Sequence, residues 1–208
     1  MNFYSVEDTF KHIPALPQGA LLEFGVLSGN CMRRIIAGAL CNQYHFNAVY
    51  GFDSWQGLPE EAANVWRSQD WPPGAFSLQK DFNLATSEDC IQFVTNRIHE
   101  HVEPKDMPFL EFFSGFFSKS LTAHLGATLA DTVSYCHVDV DLYISTMQCC
   151  DWLFKNNILK RYALVRYDDW LYNGAYAGNN RAHFELTKKY NINWQPVADN
   201  AFIYMGHD

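Results

Sequence analysis

His137-Val138-Asp139-Val140-Asp141 closes an apolar run that extends from Thr132 to Val138. Such a run reads as a buried strand. Side chains alternate along a strand, so Asp139 and Asp141 face the same side. Two carboxylates that close repel each other unless a cation or a proton lies between them. A second pair, Asp168-Asp169, ends a second apolar run, Tyr162 to Tyr167. If the two strands are parallel neighbours, four carboxylates meet at one sheet edge, where open α/β sheets bind ligands. The chemistry offered is an oxygen-lined cation site beside a cofactor pocket. The plainer account is that aspartates after strands cap the following helices. Two pairs at two strand ends weigh against it.

Three further strand ends carry polar groups. Leu22-Glu23-Phe24-Gly25-Val26-Leu27-Ser28-Gly29-Asn30 reads as a strand, a glycine turn and a helix start. Gly25 there permits close backbone approach to a ligand, Asn30 can cap the helix, and the free N–H groups of its first turn are available. The glycine spacing is not G-x-G-x-x-G, so the dinucleotide fingerprint is not met. Asp53 follows the strand from Ala48 to Phe52, where an acidic side chain can accept hydrogen bonds from both hydroxyls of a ribose. The bland alternative is a turn aspartate beside Ser54. Phe113-Ser114-Gly115-Phe116-Phe117 offers an aromatic wall and a hydroxyl for a flat heterocycle, although aromatics of this kind are more often core. His137 is a candidate base, with a packed core histidine the commoner outcome. His183, on the last expected helix, is a candidate for the site mouth, with a helix-face histidine the commoner outcome.

The elements that must position these residues alternate in type. Expected strands cover Ala20–Val26, Ala48–Phe52, Phe109–Phe113, Val133–Val138 and Ala163–Tyr167. Expected helices follow Asn30, follow a capping box at Thr86 and Asp89, run through Met147 to Phe154, and span Arg181–Tyr190. Ile192–Val197 and Ala201–Met205 form an expected hairpin across Ala198-Asp199-Asn200. This pattern predicts a Rossmann-like α/β domain: a mostly parallel sheet, an antiparallel C-terminal hairpin strand, and helices on both faces. Residues 1–208 read as one domain with a lid insertion at 54–83. The insertion is rich in Pro, Gly and Trp, and a loop that long is usually functional.

Composition narrows the partners. The 208 residues are 48% apolar with a formal net charge of −8. That charge argues against a nucleic-acid partner, since backbone binding needs a basic surface. No apolar run reaches membrane-spanning length, and the start of the chain lacks a signal-peptide pattern. Six cysteines without a C-x-x-C pair fit reduced thiols and a cytoplasmic location.

Glu23-Phe-Gly25, Gly51-Phe-Asp53-Ser-Trp-Gln-Gly57-Leu-Pro59, Gly115-Phe-Phe-Ser-Lys-Ser-Leu121, Asp139-Val-Asp141-Leu-Tyr-Ile-Ser-Thr146 and Asp168-Asp169-Trp170 occur in that order. In these the chain resembles the macrocin O-methyltransferase family of class I S-adenosylmethionine-dependent methyltransferases, from about Leu21 to its end. The resemblance implies that Glu23, Gly25, Ser28 and Asn30 serve the methionine end of the cofactor. It implies that Asp53 and Ser54 serve the ribose, with Ser114, Gly115, Phe116 and Asp139 completing the cofactor site. It implies that Asp139, Asp168 and Asp169 bind a divalent cation, usually magnesium, with Asp141 as base and Asp139 as its catalytic neighbour. The implied partner is a small molecule bearing hydroxyls, of sugar or aromatic diol type; a homodimer stays open. Departures are the short stretch before the first strand, Arg166 in an otherwise apolar strand, and the Gly/Asn-rich segment 173–180.

Other readings compete. A haloacid-dehalogenase-like phosphotransferase would use Asp139-Val-Asp141, but needs its second acidic pair much farther along. An Asp-x-Asp glycosyltransferase leaves Asp53 and the Gly25 turn without a task. A non-catalytic S-adenosylmethionine-binding protein shares the fold, since fold does not fix function.

Overall fold

A computed structural model of the chain describes residues 5–6, 8–13, 16–171 and 178–207. In chain order the elements are α1 (Thr9–His12), β1 (Ala20–Phe24), α2 (Asn30–Cys41), β2 (Ala48–Asp53), α3 (Leu78–Asp81) and α4 (Ser87–His99). There follow β3 (Phe109–Ser114), α5 (Phe117–Ser120), α6 (Ala123–Thr128), β4 (Val133–Val138) and α7 (Tyr143–Lys155). β5 (Leu159–Tyr167), α8 (Gly178–Tyr190), β6 (Ile192–Ala198) and β7 (Ala201–His207) complete the domain.

The seven strands form one sheet in the order β3-β2-β1-β4-β5-β7-β6. β1 to β5 are parallel, and β7 runs antiparallel to both β5 and β6. The expected fold is therefore the observed one. Strand order reverses between β1 and β4, which opens a crevice beyond their carboxyl ends. Both faces are covered, so β1 and β4 are buried at every position, and parallel strands of this kind need near-continuous apolar sequence. Leu21, Val49, Tyr135 and Leu164 pack on one face against α2 and α4. Leu22, Phe24, Phe52, Cys136 and Val165 pack on the other against α7 and α8. Each fully buried leucine of this set contributes about 1.5–3 kcal/mol.

Several boundaries differ from expectation for identifiable reasons. Asn30 does not cap α2. Gly29, at φ 75°, occupies the cap, and Asn30 Oδ1 instead accepts from Arg33 Nε at 3.1 Å and Arg97 Nη2 at 3.2 Å. Gly29 sits there because a Cβ would come within 2.9 Å of Val94. The capping box of α4 is present as read: Thr86 accepts from the Asp89 backbone and Asp89 returns to Thr86 N. β5 starts at Leu159 rather than Ala163, since Tyr162 at φ 70° lets the strand pass an irregularity in its pairing with β4. Polar Lys160 and Arg161 hid that extension. The hairpin closes Ala198 against Ala201, leaving a tighter two-residue turn.

Arg166 is buried, and its Nη1 donates to Ser5 O at 3.2 Å and Thr9 Oγ1 at 2.9 Å. The charge that interrupts the strand thus fastens the α1 region onto the sheet. His183 is also buried, ringed by Tyr167, Trp170, Trp194 and Phe202. It is a core histidine and not part of the site mouth. Residues 172–177 of the Gly/Asn-rich segment lie outside the described residues. Among the described residues, no helix is long and apolar enough to cross a membrane, and all six cysteines are free thiols.

Candidate functional site

The site is built at the carboxyl ends of β1, β2 and β4. Gly25, at φ 80°, turns the chain out of β1. A Cβ there would lie 1.7 Å from the Asp139 carbonyl oxygen. What approaches Gly25 closely is therefore the backbone of the β4 end, and the glycine lets the two loops close. Asp53 then clamps the turn. Its Oδ2 accepts from Val26 N at 2.9 Å and Leu27 N at 2.8 Å, and its Oδ1 accepts from Trp55 N at 2.7 Å. Burial nevertheless pushes its carboxyl up, against the pull of these donors.

A cavity of about 430 Å³ opens beside this clamp. Of the residues expected from the sequence, Gly25, Asp53, Ser54, Gly115, Phe116, Asp139 and Asp141 line it. Phe76 and Phe117 add aromatic surface, and Ile144 and Gln148 of α7 face it from the far side. Glu23, Ser28, Asn30, Ser114, Asp168 and Asp169 do not line it; the structure gives most of them internal work. Ser114 Oγ accepts from Trp55 Nε1 at 2.8 Å, holding a fully buried indole whose backbone sits at φ 61°. Ser54 Oγ donates to Gly57 O at 3.0 Å and accepts from Gln56 N at 3.1 Å, so its hydroxyl shapes the loop even as it borders the cavity.

The four aspartates do come together at the β4 and β5 ends, but in two sets. Asp139 and Asp168 group with His137, one donor atom from each lying within 4.8 Å of the others. Asp169 and Asp141 lie close enough to perturb one another's carboxyls. Burial, followed by the Asp169 and Asp168 charges, pushes Asp141 up to about 8. Burial and Asp168 push Asp169 up to about 6. Asp139 is raised well above the ordinary carboxylate range by burial and then by its acidic neighbours. Four carboxyls this close do not all ionise without an added positive charge. Asp169 Oδ2 is buried without a hydrogen-bond partner. Asp141 also sits at φ 57°, backbone strain that the surrounding loop must hold.

Beneath this cluster lies Glu23. It is wholly buried, and its Oε1 is 2.9 Å from His137 Nδ1. Burial pushes Glu23 up and lowers His137 to about 4, so the imidazole is neutral at ordinary pH. His137 Nε2 has no hydrogen-bond partner and stands 3.9 Å from Asp168 Oδ1. The histidine is thus neither a satisfied core residue nor a base open to the cavity.

Sequence reasoning missed Glu61. Its Oε2 accepts from Tyr143 N and its Oε1 from Ile144 N, both at 2.9 Å. It supplies the side-chain cap that Leu142, the residue at the α7 cap, lacks. No local pattern marks it, because helix and cap are 82 residues apart. Glu61 belongs to the irregular segment 54–77, whose base is closed by Leu58 N to Ala75 O and Gly74 N to Leu58 O, both 2.9 Å. Trp55 and Trp71 of this segment are buried, while Trp66 is 58% exposed.

No family model matches the chain, and no curated protein does. Solved structures do. The crystal structure of CalS11, a calicheamicin methyltransferase, aligns with a TM-score of 0.65 at 16% identity, over 97% of this chain and 77% of its own. The O-methyltransferase NovP aligns with a TM-score of 0.58 at 18% identity, over 98% and 78%. Apo CalS11, described as a TDP-rhamnose 3′-O-methyltransferase, gives 0.51 at 16% identity, over 98% and 78%. At this identity the likeness is one of fold: a Rossmann-like sheet shared with methyltransferases.

Proposed function

We propose that the chain transfers the methyl group of S-adenosylmethionine to a hydroxyl of a small molecule, with a divalent cation assisting, in the manner of the macrocin O-methyltransferase family. The observation that carries this reading is the cavity that joins the Gly25 turn and Asp53 to Asp139 and Asp141. Its volume suits a cofactor with a small acceptor. The sheet order and the methyltransferase neighbours support the same reading.

The residues fit both absent groups. Asp53 accepts from Val26, Leu27 and Trp55, and the Ser54 N–H also lowers its carboxyl. A ribose hydroxyl would bind it by sharing an oxygen with one of these donors or displacing it. Phe116 offers a face for the adenine ring. Asp139 and Asp168, with the unpartnered Asp169 Oδ2 nearby, are hard oxygen donors crowded enough to welcome a cation. When bound, S-adenosylmethionine supplies an electrophilic methyl carbon and the cation acidifies and orients the acceptor hydroxyl. The chain's own residues do the rest. The cavity walls hold acceptor oxygen and methyl carbon in line, which accounts for much of the rate. Asp141, which lines the cavity and stands apart from the His137–Asp139–Asp168 set, takes the hydroxyl proton. Segment 54–77, tethered through Glu61 to the start of α7, closes over the bound cofactor and excludes water.

The test pairs calorimetry with turnover on a panel of sugar and aromatic diols. S-adenosylmethionine should bind, and chelator should abolish transfer. Asp141→Asn should keep cation affinity and lose transfer. Asp139→Asn should weaken both, with excess magnesium restoring part of the rate. A chelator-insensitive rate overturns the cation's part. Tight cofactor binding without turnover on any diol favours a non-catalytic binding protein.

A further inference from the structure

We propose that the cation is held by nitrogen as well as oxygen. His137 Nε2 joins Asp139 and Asp168, Glu23 orients the imidazole, and the site takes a divalent first-row transition ion in preference to magnesium. This rests on the cation site proposed above and changes its ligand set and its ion.

The carboxylates alone would not carry this assignment; His137 does. The ring has no solvent exposure, yet Nε2 has no hydrogen-bond partner. Its nearest acidic atom, Asp168 Oδ1 at 3.9 Å, is too far to accept a hydrogen bond. Donors to one such ion lie about 2.1 Å from it, so two of them are at most about 4.2 Å apart. The separation observed is thus too long for a hydrogen bond and falls within the span that two ligands of one ion can reach, with the third donor, on Asp139, within 4.8 Å. The other nitrogen is already engaged. Nδ1 lies 2.9 Å from Glu23 Oε1, and Glu23 is buried with no other hydrogen-bond partner for its second oxygen. A carboxylate behind a histidine fixes the ring and its tautomer so that the far nitrogen presents its lone pair. Strand geometry makes this arrangement. Glu23 on β1 is in register with His137 on β4. Asp139 follows the end of β4 and brings a carboxylate oxygen within 4.8 Å of the His137 ring. Asp168 arrives from the end of β5, its backbone N–H on Val138 O. An imidazole nitrogen beside two carboxylates suits iron(II), nickel or zinc better than magnesium, which prefers oxygen alone, and Mn²⁺ serves as the paramagnetic probe.

The experiment uses the full chain loaded with Mn²⁺ and pulsed electron paramagnetic resonance. Wild-type protein should show ¹⁴N modulation from a directly bound imidazole, and protein grown with ¹⁵N-histidine should replace it with the ¹⁵N pattern. His137→Gln should bind Mn²⁺ without histidine modulation. Mn²⁺ should bind on the order of tenfold more tightly than Mg²⁺ in the wild type, with the gap nearly closed in His137→Gln. Glu23→Gln should lose on the order of tenfold in Mn²⁺ affinity. If Mn²⁺ binds without histidine coupling, nitrogen ligation is wrong and the all-oxygen site stands. If Mn²⁺ does not bind, the cation site itself falls, and this inference with it. Should His137→Gln fail to fold, the isotope-labelled wild type decides alone.

Discussion

Asp53 is the residue whose removal tests most of the argument at once. Its carboxylate accepts three backbone N–H groups, two from the β1–α2 turn and one from Trp55. A hydrogen bond to a charged group contributes about 1.5–3 kcal/mol, and water replaces part of it where the site is open. Asp53→Ala should therefore cost about 3 kcal/mol of stability before any ligand is added. For a domain of this size about 1 kcal/mol shifts Tm by roughly 2–4 °C, so the ligand-free melting point should fall by roughly 6–12 °C. Asp53→Asn is the informative intermediate. An amide oxygen in place of Oδ2 keeps the Val26 and Leu27 donors, and the amide nitrogen then confronts the Trp55 N–H. One bond is lost and two donors meet, at a cost of about 1–3 kcal/mol. Thermal unfolding without ligand reads the clamp; calorimetry with S-adenosylmethionine reads the ribose contact, where Ala should lose on the order of tenfold or more in affinity. A ligand-free melting point for Asp53→Ala within about 1 °C of wild type would refute the clamp. A lowered melting point with unchanged cofactor affinity would refute the ribose contact alone.

Two further predictions concern groups outside that clamp, the buried His183 and the partly buried Glu61. Burial lowers His183 from 6.5 to about 3, so the unfolded chain takes up its proton first, and stability present above about pH 6.5 is lost as pH falls toward 3. That loss reaches about 2 kcal/mol near pH 5. His183→Leu should remove it, and the wild-type-minus-variant difference isolates it from the acidic cluster, whose raised carboxyls act with the opposite sign; equal acid-side slopes in urea titrations would count against the assignment. Glu61→Gln cannot satisfy the N–H groups of both Tyr143 and Ile144. With a cap worth about 1 kcal/mol, cleavage within segment 54–77 should rise several-fold in limited proteolysis, and saturating S-adenosylmethionine should suppress it; an unchanged cleavage rate removes Glu61 as the tether.

What could be read from the sequence was what repeats or alternates locally. The β4 run into Asp139 and Asp141 announced both a buried strand and an acidic edge, because period-two alternation and burial act on adjacent residues. The capping box at Thr86 and Asp89 was legible for the same reason. Asn30 misled because the cap position is decided by backbone: Gly29 alone tolerates its φ and the nearness of Val94. Gly25 was rightly singled out but for another neighbour, the Asp139 carbonyl, which belongs to a strand more than 100 residues later. Glu61, Arg166 and His183 were misread or missed because their partners are supplied by tertiary contact. The short α5 and α6, four and six residues long, carry no periodicity to detect.

The register of the three central strands explains why the proposed cation site lies where it does. Leu21, Tyr135 and Leu164 are aligned across β1, β4 and β5, as are Leu22, Cys136 and Val165. The next row is Glu23, His137 and Arg166, and the row after it returns to Phe24, Val138 and Tyr167. One titratable layer thus interrupts an otherwise apolar stack. Well-packed apolar residues of similar volume could fill such a layer at no cost to stability. The layer divides its work: Arg166 turns to Ser5 and Thr9 and secures the start of the domain, while Glu23 turns to His137. Asp139 and Asp168 follow one apolar row later. Stability alone does not call for a charged row sealed at that depth, and its one unpartnered imidazole nitrogen faces the carboxylates that most need a positive charge.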